Sequence, residues 1–367
     1  MAKGNMPIHV TKRLDDESRM RAVLLRIAAV ILAIAVGGLF FAALGFNPFE
    51  VYGELIKGAV GTTMARRMTV RLCVPLLITS LAVGLAFKMR FWNIGAEGQI
   101  GIGAIAASYI ALFHSEGMPK VVVLILMAVA AFVAGGLYGV IPAYFKSKFG
   151  TNETLFTLML NYVAFYTIQA LAQGTWKDPT AWGFPKIARF SSNAQLPMVL
   201  GVHVGWIVAL ALVLLVYLYM NKTKQGYELS VVGENENTAR YAGMNVRKIV
   251  IRTMFISAGL AGLAGMLQAS GADKTLTESI ANNVGFTAIT VAWLANLNPG
   301  AMVIVTALFC ILTKGSDTIQ SVYNISPAAA EVFQGIILFF VLGSEFFIRY
   351  KVHFAGFISK KEGGKVK

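Results

Sequence analysis

The chain reads as an all-α polytopic membrane protein with about ten transmembrane helices, some of them interrupted, and with both termini in the cytoplasm. Three observations carry that reading. Of 367 residues, 56% are hydrophobic and 14% charged, against about 45–50% and about 25% in soluble domains. A spanning helix takes roughly 20 apolar residues, so about ten of them with short connections consume this length. No polar stretch is long enough to fold separately, which excludes a soluble enzyme, a disordered chain and an anchored globular head. Cys73 and Cys310, the two cysteines, sit in apolar runs and give neither a disulfide framework nor a zinc site. The net charge of +14 is accounted for by basic loops, without nucleic acid as a partner.

Residues 1–26 form a polar tail of mixed charge, Lys12, Arg13, Arg19, Arg21 and Arg26 against Asp15, Asp16 and Glu17. The apolar run Ile27–Phe46 is long for a signal-peptide core, and the acids before it oppose one, so it is read as an uncleaved first span. Tyr52, Leu55, Ile56, Ala59, Val60 and Thr63 recur at helical spacing among charges, predicting an amphipathic helix on the outer surface. Four spans follow at Thr69–Phe87, Ile94–Phe113, Val121–Phe145 and Glu153–Gln173. An outer polar loop, Gly174–Pro197, carries Trp176, Asp178, Trp182, Lys186 and Arg189; its aromatics are read first as interfacial residues and second as a docking surface. The remaining spans are Val199–Met220, Val250–Ser270, Val284–Asn298, Ala301–Tyr323 and Glu331–Arg349. The eighth is short and ends in Asn298-Pro299-Gly300. The ninth contains Lys314, Ser316 and Asp317, polar enough to break it or bring it to water. Residues 27–349 are thus the transmembrane domain and 350–367 a basic cytoplasmic tail.

Orientation follows from where Lys and Arg fall. With the N-terminus inside, the outer segments hold only Lys57, Arg66, Arg67, Arg71, Lys120, Lys177, Lys186, Arg189 and Lys274, and Lys314 lies within a span. The other basic residues fall in inner segments. The positive-inside rule therefore puts both ends in the cytoplasm, which requires an even number of spans.

Asn93, Glu97 and Gln99 stand at the inner end of an apolar span, mixed with Gly95, Gly98, Gly101 and Gly103. A carboxylate at membrane depth costs a few kcal/mol or more unless it faces protein or water, and clustered glycines permit close backbone approach. A helix break beside a transport path and a structural pin on a neighbouring helix are both open readings. Asn161, one or two turns into the fifth span, and Asn296 and Asn298, beside Pro299 and Gly300, are further candidates for lining a polar path or for interhelical glue. Gly101-x-Gly103 imitates a dinucleotide fingerprint but lies inside a span with no preceding strand, and is rejected. No catalytic or metal-binding signature is present.

Residues 221–252 form the longest polar segment between spans. Inside it, Gly233, Glu234, Asn235, Glu236, Asn237, Thr238, Ala239, Arg240, Tyr241, Ala242 and Gly243 read as one short helix. Asn235 is its N-cap, Glu236 complements the positive end and Gly243 is the stop. Ala239, Ala242 and Tyr241 make an uncharged knob suited to docking a partner, although a solvated loop helix has the same pattern. The helix that follows, Ser257–Gly265, repeats small residues at three and four, the pattern of close helix packing in lipid.

At these residues the chain resembles the membrane subunit of a bacterial ATP-binding-cassette importer, and within that class the nucleoside branch of the branched-chain amino-acid, ribose and nucleoside permeases. The pieces are Asn93–Gln99, Asn152-Glu153 with Met159–Tyr162, Val232–Met244, and Val246–Lys248 leading into Ser257–Gly265. Their order and spacing are specific, and the likeness runs from the first span through the tenth. The resemblance implies a non-catalytic permease in the bacterial plasma (inner) membrane. It implies a second related permease as partner, in a heterodimer or homodimer, and cytoplasmic ATPases that bind ATP and Mg, this chain having no cofactor of its own. It also implies an extracytoplasmic substrate-binding protein, and it makes Glu234–Gly243 the helix that couples to the ATPase. Ribose-type relatives tend to carry Asp-Leu-Ser-Val-Gly where this chain has Asn93–Gly98, which favours nucleosides over simple sugars such as ribose. Trp293–Gly300 departs from the relatives' glycine-rich turn and leaves the gate and the solute open. The rival from another class, an ion-coupled secondary transporter, would call on Glu97 or Glu345 and has no use for an ATPase socket.

Overall fold

The computed structural model describes residues 8–12, 19–181, 183 and 185–354. Arg13, Asp15, Asp16, Glu17, Trp182 and the end of the basic tail lie outside them, as does the side chain of Glu345. In chain order the elements are β1 (Ile8–Lys12), α1 (Arg19–Ala43), α2 (Pro48–Ile56), α3 (Thr63–Lys88), α4 (Ala96–Phe113), α5 (Lys120–Phe149) and α6 (Glu153–Gln173). A short hairpin of β2 (Met198–Val199) and β3 (Val202–His203) precedes α7 (Gly205–Lys222), α8 (Lys224–Glu234), α9 (Glu236–Tyr241) and α10 (Val246–Leu267). The chain closes with α11 (Val284–Leu294), α12 (Pro299–Tyr323), α13 (Pro327–Arg349) and β4 (Tyr350–Phe354). Seven described helices are long and apolar enough to cross a membrane, or eight if the bent pair α1–α2 counts as one span.

The chain divides into two compact units, residues 1–58 with 312–367, and residues 59–311. In the first, α1 packs along α13 around Phe41, Val51, Leu55, Ile319 and Phe333. The Phe41 and Phe333 rings lie 4.9 Å apart. Gly37 admits Phe333, since a methyl there would meet its ring at 2.6 Å. The chain ends pair as antiparallel strands, Ile8 opposite Phe354 and Lys12 opposite Tyr350. The amphipathic helix expected near residue 52 exists as α2, turned 116° from α1. Its inward face differs from the expected one: Val51, Leu55 and Ala59, spaced by four, are buried, while Ile56 and Val60 are exposed, and the helix continues into a π-helical turn at Lys57–Gly61. Of the two readings of Lys314–Asp317, a break or an approach to water, the break is absent, and Asp317 is exposed. Helix α12 runs through this stretch, with Lys314 and Asp317 one turn apart and their charges 3.8 Å from each other.

In the second unit α10 packs on α3, α4 and α5. Small residues make this possible: a methyl on Gly135 would meet the Ala258 carbonyl oxygen at 2.6 Å and one on Gly265 would strike the backbone of Ile100. Such backbone approach is the main source of helix affinity in lipid. The Ser257 hydroxyl donates to the Ala82 carbonyl at 2.6 Å. The span expected at Val199 begins instead at Gly205, after the hairpin. That hairpin places His203 under Gly205 and Gly271, buried and without a hydrogen-bond partner on either ring nitrogen. Burial, reinforced by the charge of Arg71, pushes its pKa down to about 4.

Beyond α10 the chain continues as a π-helical stretch, Gln268–Asp273, and then without helix to Asn283. Asn282 and Asn283 adopt left-handed backbone, φ 44° and 61°, which asparagine tolerates better than most residues. Helix α11 starts there and is only 11 residues long, in keeping with the short eighth segment expected.

Candidate functional site

The interior site forms where α4 begins. Helix α3 ends at Lys88, the chain reverses through Arg90 at φ 56°, and Asn93 folds back on α4. Its amide pairs reciprocally with that of Gln99, Nδ2 donating to Oε1 and Nε2 donating to Oδ1, both at 3.1 Å. Asn93 Oδ1 also accepts the Gly95 N–H. The first N–H groups of a helix lack internal partners, and here α6 supplies them. Asn161 Oδ1 accepts the Gly98 N–H at 2.8 Å, and its Nδ2 donates to the Ile94 carbonyl at 2.9 Å. Thr157 Oγ1 accepts the Ile94 N–H. Gly98 is required for this approach, since its Cβ would lie 2.9 Å from the Asn161 Cα.

Glu97 points the other way, onto α11. Its Oε1 accepts the Asn283 N–H at 2.8 Å and its Oε2 the Gly285 N–H at 2.7 Å. Asn283 makes no side-chain cap of its own, so a carboxylate 186 residues away in sequence closes the positive end of that helix. Glu97 and Asn161 also line a cavity of about 270 Å³ together with Glu278, Ser279, Asn282 and Asn283. Asn93 and Gln99 are buried behind it.

Four of the six candidate path residues, Asn93, Glu97, Gln99 and Asn161, are therefore brought together. Asn296 and Asn298 are not; they sit past the opposite end of α11, roughly 16 Å along its axis. Asn298 Oδ1 caps α12 through the Gly300 and Ala301 N–H groups. Near that end Trp293 stacks on Trp92 at 5.7 Å and lies against Phe87. Glu278, Ser279, Asn282 and Asn283 are not among the sequence-predicted site residues; the signal for them in the sequence is a polar run closing on an Asn-Asn pair before an apolar one.

The second site is the loop between α7 and α10. Helix α9 has the expected caps: Asn235 Oδ1 accepts the Asn237 and Thr238 N–H groups at 2.8 and 3.2 Å, and Gly243 leaves at φ 75°. The rest of the segment differs from one helix. Gly233 and Glu234 finish α8, and a Cβ on Gly233 would collide with the Lys88 carbonyl oxygen, so α8 seats on the end of α3. Arg252 ties α10 to α8 through Glu228 at 3.1 Å. Ala239 is not part of an exposed knob. It is fully buried, whereas Tyr241 is 93% exposed and Ala242 is exposed beside it. The surface that α9 offers is thus Tyr241, with a Glu236–Arg240 pair along its side.

Residues 66–342 match the family described as branched-chain amino acid transport system / permease component. The chain is similar to a glucose ABC transporter permease protein, TsgB13, of Haloferax volcanii, 32% identical over 90% of this chain and 89% of that one. It is similar to the guanosine ABC transporter permease protein NupP of Bacillus subtilis, 30% identical over 94% of this chain and 99% of that one. The nucleoside ABC transporter permease protein NupB of Lactococcus lactis subsp. cremoris is 27% identical over 88% and 92%.

Proposed function

We propose a nucleoside importer from one premise: the chain belongs to the family of branched-chain amino acid transport system permease components. It is a permease subunit of an ABC transporter. A permease of this kind moves solute by switching between states and does no bond chemistry itself. The observation that carries the ATP-driven reading is α9, short, capped at both ends, seated through α8 on a buried helix end, and presenting one exposed tyrosine. Such a piece is stiff enough to transmit a push from a cytoplasmic ATPase, which would hold ATP and Mg. Nucleotide-dependent affinity for one arrangement of α9 would shift the membrane pair between outward- and inward-facing states. A second related permease and an extracytoplasmic binding protein complete the importer in this reading.

Ten spans with both ends in the cytoplasm, in a bacterial inner membrane, fit the antiparallel pairing of β1 with β4, since chain ends that pair must share a side. The broken eighth segment and its polar cavity are the proposed gate, with Glu97, Asn161, Asn282 and Asn283 at its wall and Asn93 and Gln99 holding it. Nucleoside is favoured as solute by the guanosine and nucleoside permeases that match over nearly their whole lengths. A simple sugar is the second reading, because the glucose permease is similar over almost the same extent.

Uptake of radiolabelled guanosine, uridine, ribose and glucose in cells with and without this gene separates the two. Loss of nucleoside uptake alone is expected; loss of sugar uptake alone would replace the solute. Single cysteines at Asn235 and Asp178, with Cys73 and Cys310 changed to serine, test orientation. An impermeant thiol reagent outside intact cells or spheroplasts should reach position 178 and not 235.

A further inference from the structure

We propose that the groove between α5 and α10, at the end where α9 lies, binds the head group of an anionic phospholipid with an acyl chain running down it. The two helices are antiparallel and in register over this stretch. The Arg247 guanidinium lies 5.0 Å from the centre of the Tyr144 ring. One turn deeper, Ile251 and Val140 line a cavity of about 460 Å³. Deeper again, Phe255 packs against Gly136, where a methyl would meet its ring at 2.8 Å.

The groove is therefore graded. Arg247 and Lys248 stand toward its mouth, Arg252 follows one turn along beside Ile251, and Val140, Ile251 and Phe255 form its floor. From Arg247 to Phe255 is eight residues, about 12 Å of helix, a depth that a phosphate with an alkyl chain fills and a phosphate alone does not.

The charge balance asks for an anion. Arg252 has Glu228 as partner, but its Nε is buried with none. No carboxylate pairs with Arg247 or Lys248 among the described residues. Lys148 adds a further cation, 5.5 Å from the same Tyr144 ring. Leu137, Ile141 and Phe145 are exposed on α5 beside the groove, so its apolar half opens onto the face that lipid covers. An acidic protein surface could meet the cations but not enter the span. Basic pockets between spanning helices are a recurrent solution for lipid head groups.

The test uses the purified full-length protein, titrated with short-chain phosphatidylglycerol or phosphatidylcholine and read by native mass spectrometry and thermal shift. Phosphatidylglycerol should bind more tightly. The pair Arg247→Gln and Lys248→Gln, on exposed residues, should weaken it roughly fivefold per cation, about twenty-five-fold together, and leave phosphatidylcholine unchanged. Val140→Trp should fill the floor and displace the lipid while the cations remain. The control pair Lys222→Gln and Lys224→Gln should have no effect. Equal binding of the two lipids, or an equal loss in the control pair, would overturn the site. Competition by glycerol 3-phosphate as strong as by phosphatidylglycerol would overturn the lipid in favour of a soluble phosphate ester.

Discussion

Two short helices, α9 and α11, show how differently this chain closes a helix end. Helix α9 carries its own cap, with Asn235 accepting from the next turn. Helix α11 has none and borrows Glu97 from α4. The first arrangement is local, so α9 holds its shape while its surface stays free to meet another molecule. The second is long-range, so α11 stands only while α4 and the segment 274–283 stay in place. A local cap makes a stiff independent part; a borrowed cap makes a joint.

The largest effect should come from breaking the joint. Glu97→Ala leaves the buried Gly285 N–H without its acceptor, at about 1–3 kcal/mol, and the exposed Asn283 N–H to water at less. Purified protein should melt at markedly lower temperature, and uptake should be lost. Glu97→Gln retains one acceptor oxygen and should fall between, with assembly preserved. A melting temperature for Glu97→Ala equal to the wild type would mean that α11 needs no borrowed cap.

Next in size is a pH effect at the hairpin before α7. His203 is neutral when folded, with its pKa at about 4, whereas an unfolded histidine takes its proton near 6.5. The unfolded state therefore binds more protons between those values, and stability falls as pH drops from about 6.5 toward about 4. The full shift corresponds to a loss of about 3 kcal/mol. Melting curves of wild type and His203→Phe across that range should diverge, the variant losing less. Parallel curves would remove His203 as the cause.

The smallest effect belongs to the local cap. Asn235→Ala should cost α9 about 1 kcal/mol, visible as faster amide exchange over residues 236–241 with the spans unchanged. If exchange over α10 and α3 quickens as much, α9 is a joint as well and the contrast with α11 fails.

What could be read in advance divides along the same line. The limits of α6, the Asn235 cap, the Gly243 stop and the small-residue stripe of α10 are local or periodic, and each stands in the structure as read. Burial of Ala239 could not be read, because a six-residue helix has too few turns for periodicity to choose a face. The inward face of α2 differs from the expected one because Val51 and Ile56 are equally apolar neighbours of Leu55, and only packing against distant segments decides between them. The wall formed by Glu278–Asn283 and the partners of Glu97 arise from packing between segments far apart in sequence, and no pattern within either segment carries that information.

The central claim is that α9 is the seat of an ATPase, and Tyr241 tests it most directly. It is the exposed aromatic of that helix, while Ala239 is core, so Tyr241→Glu alters the surface without touching the packing. The measurement is the amount of ATPase subunit that co-purifies with the tagged permease, normalised to permease recovered. The account predicts normal permease levels with co-purification reduced about tenfold or more, since losing a hot-spot aromatic at an interface typically costs about 2 kcal/mol or more. Wild-type recovery of the ATPase with Tyr241→Glu would contradict it and leave α9 a solvated loop helix.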